Sequence, residues 1–314
     1  MCKRLISILT VLLLIALTFT GCTASEKTDN GNINIVSTIF PQYDFAREIT
    51  GDKANLKMLI QPGGESHTYE PTPQDIISIQ EADVFLYIGG ENDKWVEDIL
   101  KSIDTTKIQV VKLIDCVELT CVDTAEEHTH AHNEDNHAHE FDEHIWTSPM
   151  NAKKMVEVIS NAICKADPEN SEYYKNNTTA YSAQLIDLDT KIRDVVSTSK
   201  RNELVFGDRF PLVYFTNEYG LKHYSAFPGC SSETEPSAST IALLSDKVKQ
   251  NNIPVILKIE LSNSTVADTI ASETSTRVLT FYSCHNLSKK QFEKGESYIS
   301  MMTANLETLK TALN

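Results

Sequence analysis

The chain has 314 residues, with 28 Lys and Arg against 44 Asp and Glu, a formal net charge of −16. That acidity excludes a phosphate-tracking nucleic-acid surface and an electrostatic hold on anionic lipid, and it suits a protein that attracts cations. About 290 residues beyond the leader described next are enough for one large or two medium domains with substantial cores.

Lys3 and Arg4 precede an apolar run over residues 5–19, followed by Thr20-Gly21-Cys22. A basic start, a short apolar stretch and small residues at the break make residues 1–21 a secretory signal, too short and wrongly flanked to span a bilayer. Cys22 directly after Gly21 resembles a bacterial lipobox, although Phe19 stands where a leucine-like residue is usual. The expectation is a lipidated Cys22 that anchors the protein on the extracytoplasmic face of the cytoplasmic membrane. The alternative is a soluble secreted protein in which Cys22 is incidental. Residues 22–32 are polar and unpatterned, and read as a tether.

From residue 33 short apolar runs alternate with helix patterns. Strands are predicted at 33–37, 56–60, 84–88 and 109–113, and helices at 41–50, 73–81 and 93–103. Thr72 before Pro73, with Asp75 third in line, is a helix start. A βαβα order implies a parallel sheet covered by helices. This first lobe is assigned to residues 33–150.

Within it, residues 126–146 break the pattern. They hold His128, His130, His132, His137, His139 and His144, six of the chain's nine histidines, interleaved with carboxylates. Imidazole is the commonest metal ligand in proteins, and zinc takes nitrogen and carboxylate oxygen readily. No apolar periodicity runs through 126–140, so those five loop histidines read as an auxiliary metal-binding loop rather than core. The plain alternative is a solvated acidic loop rich in histidine.

Residues 151–200 read as linking helices. Tyr174, Tyr181, Leu185, Leu188, Ile192 and Val195 recur at helical spacing over 168–199, one face of a helix spanning roughly 45 Å at 1.5 Å per residue. The alternative is two shorter helices broken near Asn176 and Asn177. A second βα series fills 201–314, with strands at 204–206, 255–259 and 278–282 and helices at 211–219, 237–250, 264–273 and 297–313. The fold class is therefore α/β: two (β/α) lobes with mainly parallel sheets, joined by a long rigid helix. Ligands of such sheets bind beyond the strands' carboxyl ends, which places a small-ligand site in the cleft between the lobes.

Five motifs follow in chain order, the first at such a strand end. Residues 61–75 read Gln-Pro-Gly-Gly-Glu-Ser-His67-Thr-Tyr-Glu-Pro-Thr-Pro-Gln-Asp75, a loop whose glycines turn sharply and whose prolines stiffen the exit. Asp142-Glu143-His144-Ile145-Trp146 closes the His-rich loop. Tyr219-Gly220-Leu221, Glu233-Thr234-Glu235-Pro236 and the terminal Tyr298, Met302, Asn305 and Leu309 complete the set. In this order the motifs resemble the substrate-binding proteins of zinc and manganese ABC importers, the cluster A-I group, over nearly all the mature chain.

The resemblance implies two lobes with a linking helix, a metal bound between them, and no catalysis. His67 and His144 carry over as ligands. A third ligand, usually His or Glu in a His-Asp-Ala-Phe pattern, is missing: this chain reads Gly207-Asp208-Arg209-Phe210. Asp208 is the candidate substitute; its plain role is capping a helix or pairing with Arg209. Where the family uses a carboxylate after its last strand, this chain offers His285. The expected sphere is His67, His144 and His285, with Asp208 or water fourth. Three nitrogens suit tetrahedral zinc better than manganese, the alternative metal. His223, in a strand-like run, is read as structural.

Cys116, Cys121, Cys164, Cys230 and Cys284 remain beyond Cys22, an odd number. Cys116 and Cys121 could pair locally, and Cys164 reads as a buried small hydrophobe. Cys230 and Cys284 fall on loops expected at the cleft side of the second lobe, and a disulfide between them is the favoured reading over thiolate ligation of the metal.

The resemblance thus implies a lipid-anchored, monomeric binding protein that delivers zinc to a membrane ABC permease, with no nucleic acid partner. The alternatives are a manganese-binding paralogue, or a His-rich surface metal buffer or adhesin. A zinc hydrolase is disfavoured. His139-Glu140 followed by His144 has three residues after the glutamate, so the imidazoles do not share a helical face as in H-E-x-x-H.

Overall fold

The short apolar runs become parallel strands of two sheets in a computed structural model, which describes residues 31–120, 141–227 and 236–314. The leader with Cys22, the cysteines Cys121 and Cys230, and the loop carrying His128, His130, His132, His137 and His139 lie outside the described residues.

The first lobe runs β1 (Ile33–Ser37), α1 (Phe40–Thr50), β2 (Ala54–Met58), α2 (Pro73–Gln80), β3 (Val84–Tyr87), α3 (Lys94–Ser102) and β4 (Gln109–Lys112). Its strand order is β2-β1-β3-β4, every pair parallel. β3 shows why an unbroken apolar run belongs in such a sheet. Val84 and Leu86 enter one core while Phe85 and Tyr87 enter another, with Ile79 of α2 and Val96 and Ile99 of α3. Thr72 and Asp75 form the expected reciprocal cap of α2: Oγ1 of Thr72 accepts from Asp75 N–H at 3.3 Å, and the Asp75 carboxylate accepts from Thr72 N–H at 3.1 Å.

Two helices follow, α4 (Pro149–Ala166) and α5 (Ser171–Ser197). The second lobe is β5 (Glu203–Phe206), α6 (Val213–Tyr219), β6 (Lys222–Ser225), α7 (Ala238–Gln250), β7 (Val255–Lys258), α8 (Thr265–Thr274), β8 (Arg277–Thr280), α9 (Lys289–Glu293) and α10 (Tyr298–Leu313). Its order, β6-β5-β7-β8, repeats that of the first sheet. Leu204, Phe206, Val255 and Leu257 join the same central core as Val84 and Leu86, so Ile33–Asn314 forms one compact unit.

Of the helices read as the link, α4 packs with β3, β4, α1 and α5, and belongs to the first lobe. α5 alone reaches both sides, lying against α1 and α4 and against α6 and α10. It is continuous through Asn176 and Asn177, because Asn177 turns its side-chain amide to the carbonyl of Ile49 at the end of α1, 2.9 Å away. All six periodic residues of α5 are buried. Its first turn is fastened by Asp167, whose carboxylate accepts from the Tyr174 hydroxyl at 2.6 Å. At 1.5 Å per residue α5 is roughly 40 Å long.

Leu185 is fully buried on α5 while its neighbour Ile186 is 45 % exposed. Leu185→Ala should therefore lower the unfolding free energy by about 2–5 kcal/mol, whereas Ile186→Ala should stay within about 0.5–1 kcal/mol. Denaturant titration of the two variants checks the assignment; equal losses would contradict the buried face.

Candidate metal centre

His67, His144 and His285 lie on three separate loops. His67 is between β2 and α2, His144 heads the short 3-10 turn Ile145–Thr147 before α4, and His285 is between β8 and α9. The ring centre of His285 is 6.0 Å from that of His67 and 5.4 Å from that of His144, with the ring planes crossed at 72° and 69°. Imidazoles sharing one tetrahedral zinc at ~2.0–2.1 Å per nitrogen have ring centres roughly 5 Å apart. The His285 ring thus lies within reach of both other imidazoles. Among the described residues no group of three or more His, Cys, Asp or Glu side chains is placed so as to hold a metal ion as it stands.

Two of the rings, His67 and His144, have a partner on Nδ1. His144 Nδ1 is 3.1 Å from Asp142 Oδ1, which also accepts the His144 backbone N–H at 2.8 Å. Burial alone would raise the Asp142 pKa, but the charge and hydrogen bonds of His144 outweigh it and hold this carboxyl below its ordinary value. His67 Nδ1 is 2.8 Å from Asn92 Oδ1, and the Asn92 amide is hydrogen-bonded to Glu143. In both cases it is Nδ1 that a second group holds, the usual arrangement behind a histidine that ligates through Nε2. Burial raises the Glu143 pKa to about 7 against the pull of His144.

His285 is set by its backbone. Glu260, just past β7, accepts from Ser283 N–H at 2.7 Å, Ser283 hydroxyl at 2.8 Å and His285 N–H at 3.0 Å. Cys284 adopts φ 58°, in the left-handed region that costs a non-glycine residue strain. This turn sends the Cys284 side chain into the central core and the His285 ring toward the other imidazoles. Cys284 is a free, fully buried thiol, and burial pushes its pKa well above the ordinary value. Its expected disulfide partner, Cys230, is outside the described residues. Cys116 is also free.

Asp208 is held by hydrogen bonds on both carboxylate oxygens. Its Oδ2 accepts from Ile259 N–H at 2.9 Å and from the Ser262 hydroxyl, and its Oδ1 accepts from Arg209 N–H at 2.8 Å. It braces the 259–262 turn that carries Glu260, so its contacts are those of a supporting group rather than a ligand. Burial raises its pKa, with the Ser262 hydrogen bond opposing. The absent family histidine has a steric reason. A Cβ on Gly207 would lie 2.4 Å from Ala267 Cα, so α8 occupies the space an imidazole would need. His223 stacks on Phe210 with centroids 3.6 Å apart, a structural role as expected.

Two cavities flank His285. One of about 90 Å³ is lined by His67, Arg209, Glu260 and Asn286; the other, of about 10 Å³, is lined by Asn92, Glu143 and Trp146. Trp146 packs on His144 and His285 with centroids 5.2 Å away in each case. Asn286 spans the cleft, donating its side-chain amide to Gly64 O at 2.7 Å beside the His67 loop. Glu143, Asn92 and Glu260 were missed in the sequence. Asn92 and Glu260 both follow strand ends, the signal that found His67, and Glu143 sits inside the Asp142–His144 motif.

Asp208→Ala should destabilise the metal-free protein by about 1–3 kcal/mol, because Ile259 N–H and Ser262 lose a buried acceptor. Equilibrium denaturation without metal reads this directly; an unchanged midpoint and slope would contradict the bracing role.

Residues 35–312 match the family model described as Zinc-uptake complex component A periplasmic. Zinc-binding lipoprotein AdcA of Streptococcus pneumoniae R6 is 34 % identical over 297 residues, covering 95 % of this chain and 59 % of that protein. The chain thus spans less than two thirds of that relative. The high-affinity zinc uptake system protein ZnuA of Bacillus subtilis 168 is 35 % identical over 289 residues, covering 92 % of this chain and 90 % of the relative. Among solved structures, the Zn(II)-bound ZnuA-like domain of S. pneumoniae AdcA aligns with a TM-score of 0.74 at 31 % identity, over 90 % of this chain and 99 % of that one. The metal-dependent lipoprotein YcdH of B. subtilis gives 0.75 at 34 %, with the same coverage. The two parallel-sheet lobes, the central helix and this match place the chain in the zinc-uptake complex component A family.

Proposed function

We propose that this protein captures zinc outside the cytoplasm and passes it to a membrane ABC permease, as the substrate-binding component of an importer. The observation that carries the reading is the position of the His285 ring, 5.4 Å from that of His144 and 6.0 Å from that of His67, the three histidines coming from three loops of two lobes. Zinc is cargo here, so the site needs no general base and no substrate-activating water, and no catalysis is proposed. The names of the relatives, zinc-binding lipoprotein and zinc uptake protein, support the same reading.

His67, His144 and His285 supply three neutral nitrogen donors. Tetrahedral zinc accepts such a set, whereas manganese favours oxygen-rich, higher-coordinate sites. The fourth position falls to water or Asp208, and Asp208, braced as it is, is the weaker choice. Lipidation at Cys22 would hold the protein on the extracytoplasmic face, and the 22–32 tether would let the binding body reach the permease. Among the described residues no helix is long and apolar enough to cross a membrane. The histidines of 126–140 would recruit zinc at lower affinity, since ligands on an unpatterned loop lose entropy on ordering.

A competitive zinc and manganese titration tests the reading. The protein should hold one tight zinc-preferring site that survives deletion of residues 126–140. His285→Ala should weaken that site by more than about 100-fold, beyond the range for changes behind the ligands. Loss of all tight binding with the loop would replace the importer reading by a loop-based metal buffer. Manganese preference would reassign the cargo.

A further inference from the structure

We propose that Glu143 fixes the orientation of the Asn92 side chain and through it the tautomer of His67, so that His67 presents Nε2 to the metal. The inference deepens the zinc-binding reading above and rests on it.

An asparagine amide has a donor end and an acceptor end, and its neighbours decide which way it faces. Both carboxylate oxygens of Glu143 are turned to Asn92: Oε2 accepts the backbone N–H at 3.1 Å, and Oε1 accepts from the side-chain NH2. The NH2 end of Asn92 therefore faces Glu143. Oδ1 then faces the other way, 2.8 Å from His67 Nδ1. An amide oxygen can only accept, so Nδ1 must carry the proton of a neutral imidazole. The lone pair is left on Nε2.

A second feature shows that the approach of Glu143 is built in. A Cβ on Gly90 would lie 2.6 Å from Glu143 Oε2 and 3.1 Å from its Cβ, and Gly90 has φ 96°. Glycine at this position clears the space in which Glu143 meets Asn92. Because Glu143 is also the residue before His144, one side chain links the loop after β3 to the segment holding one ligand, and sets the ring of another. Glu143 is thus a positioning residue for His67, comparable to the carboxylate that holds a metal-bound histidine directly but acting through an amide.

The test is zinc affinity, with the absorption spectrum of the cobalt(II)-loaded protein as a second readout. The variants are Glu143→Ala, Glu143→Gln, Asn92→Ala and the Glu143→Ala/Asn92→Ala double. The proposal predicts that each single alanine variant weakens zinc by about 10–100-fold. The double variant should be little weaker than the weaker single one, the mark of two groups acting on one ligand. Glu143→Gln, whose amide oxygen still accepts from Asn92, should recover most of the loss. The cobalt bands should keep their wild-type shape, because the ligands themselves are unchanged.

Additive losses overturn the proposal, as does a Glu143→Gln variant no better than Glu143→Ala. Altered cobalt bands in Glu143→Ala would make Glu143 a ligand instead, and would also overturn it. If the unsubstituted protein binds zinc no better than a His67→Ala variant, the underlying site reading fails and the proposal falls with it. Tight His67-dependent binding together with additive losses sinks the proposal alone.

Discussion

Everything at the candidate centre depends on the seam through Trp146. A site built from loops of two sheets works only if those loops keep a fixed spacing, and Trp146 supplies it from one buried position. Its indole N–H donates to Ser283 O at 2.9 Å, and its carbonyl accepts from the Tyr298 hydroxyl at 2.7 Å. Its ring lies against both His144 and His285. Tyr298 is fully buried and donates its own N–H to Asp44 of α1 at 2.8 Å, so the last helix is tied to the first lobe. Tyr214 of α6 reaches across to Asp142 O at 2.9 Å, behind His144. Buried polar groups in such a seam are satisfied by one another, and satisfied networks specify one arrangement of the lobes.

On this frame the carboxylates serve the imidazoles. Asp142 holds His144, Glu143 reaches His67 through Asn92, Glu260 shapes the His285 loop, and Asp208 braces the turn that carries Glu260. Four acids close to a proposed cation site would be expected to compete as ligands. Here most of their oxygens are already committed to N–H and O–H donors, which leaves the nitrogen atoms as the prominent metal donors. That division of labour is what favours zinc, since an oxygen-rich sphere would suit manganese. It also explains how the chain dispenses with the family's usual third ligand: α8 fills the space beside Gly207, and His285 brings an imidazole from a different loop.

Much of this was legible in the sequence because its signals were local. Short apolar runs, the Thr72 cap and the 3.6-residue stripe on α5 marked all four strands of the first lobe and three of the second; β6 entered only as the strand-like run around His223, and α9 was not marked. The post-strand rule pointed to His67, and the family resemblance to His285. What was hidden was which way side chains turn within loops. Asp208 follows a strand just as His67 does, and only the structure shows its carboxylate taken up by Ile259 N–H and the Ser262 hydroxyl. Cys284 and His285 are adjacent, and the left-handed backbone at Cys284 decides which of them enters the core. The role of Asn92 depends on Glu143, 51 residues away, and no local pattern encodes such a pair. α4, read as part of the link, shows the same limit: periodicity gives a helix a buried face but not the sheet it covers.

The most direct test of the central claim is zinc K-edge X-ray absorption on the protein loaded with one equivalent of zinc. The account predicts a nitrogen–oxygen shell at ~2.0–2.1 Å with imidazole scattering from three rings, reduced by one ring in His285→Ala. A sulfur shell near ~2.3 Å would contradict it, and so would an imidazole count that does not change when His285 is removed.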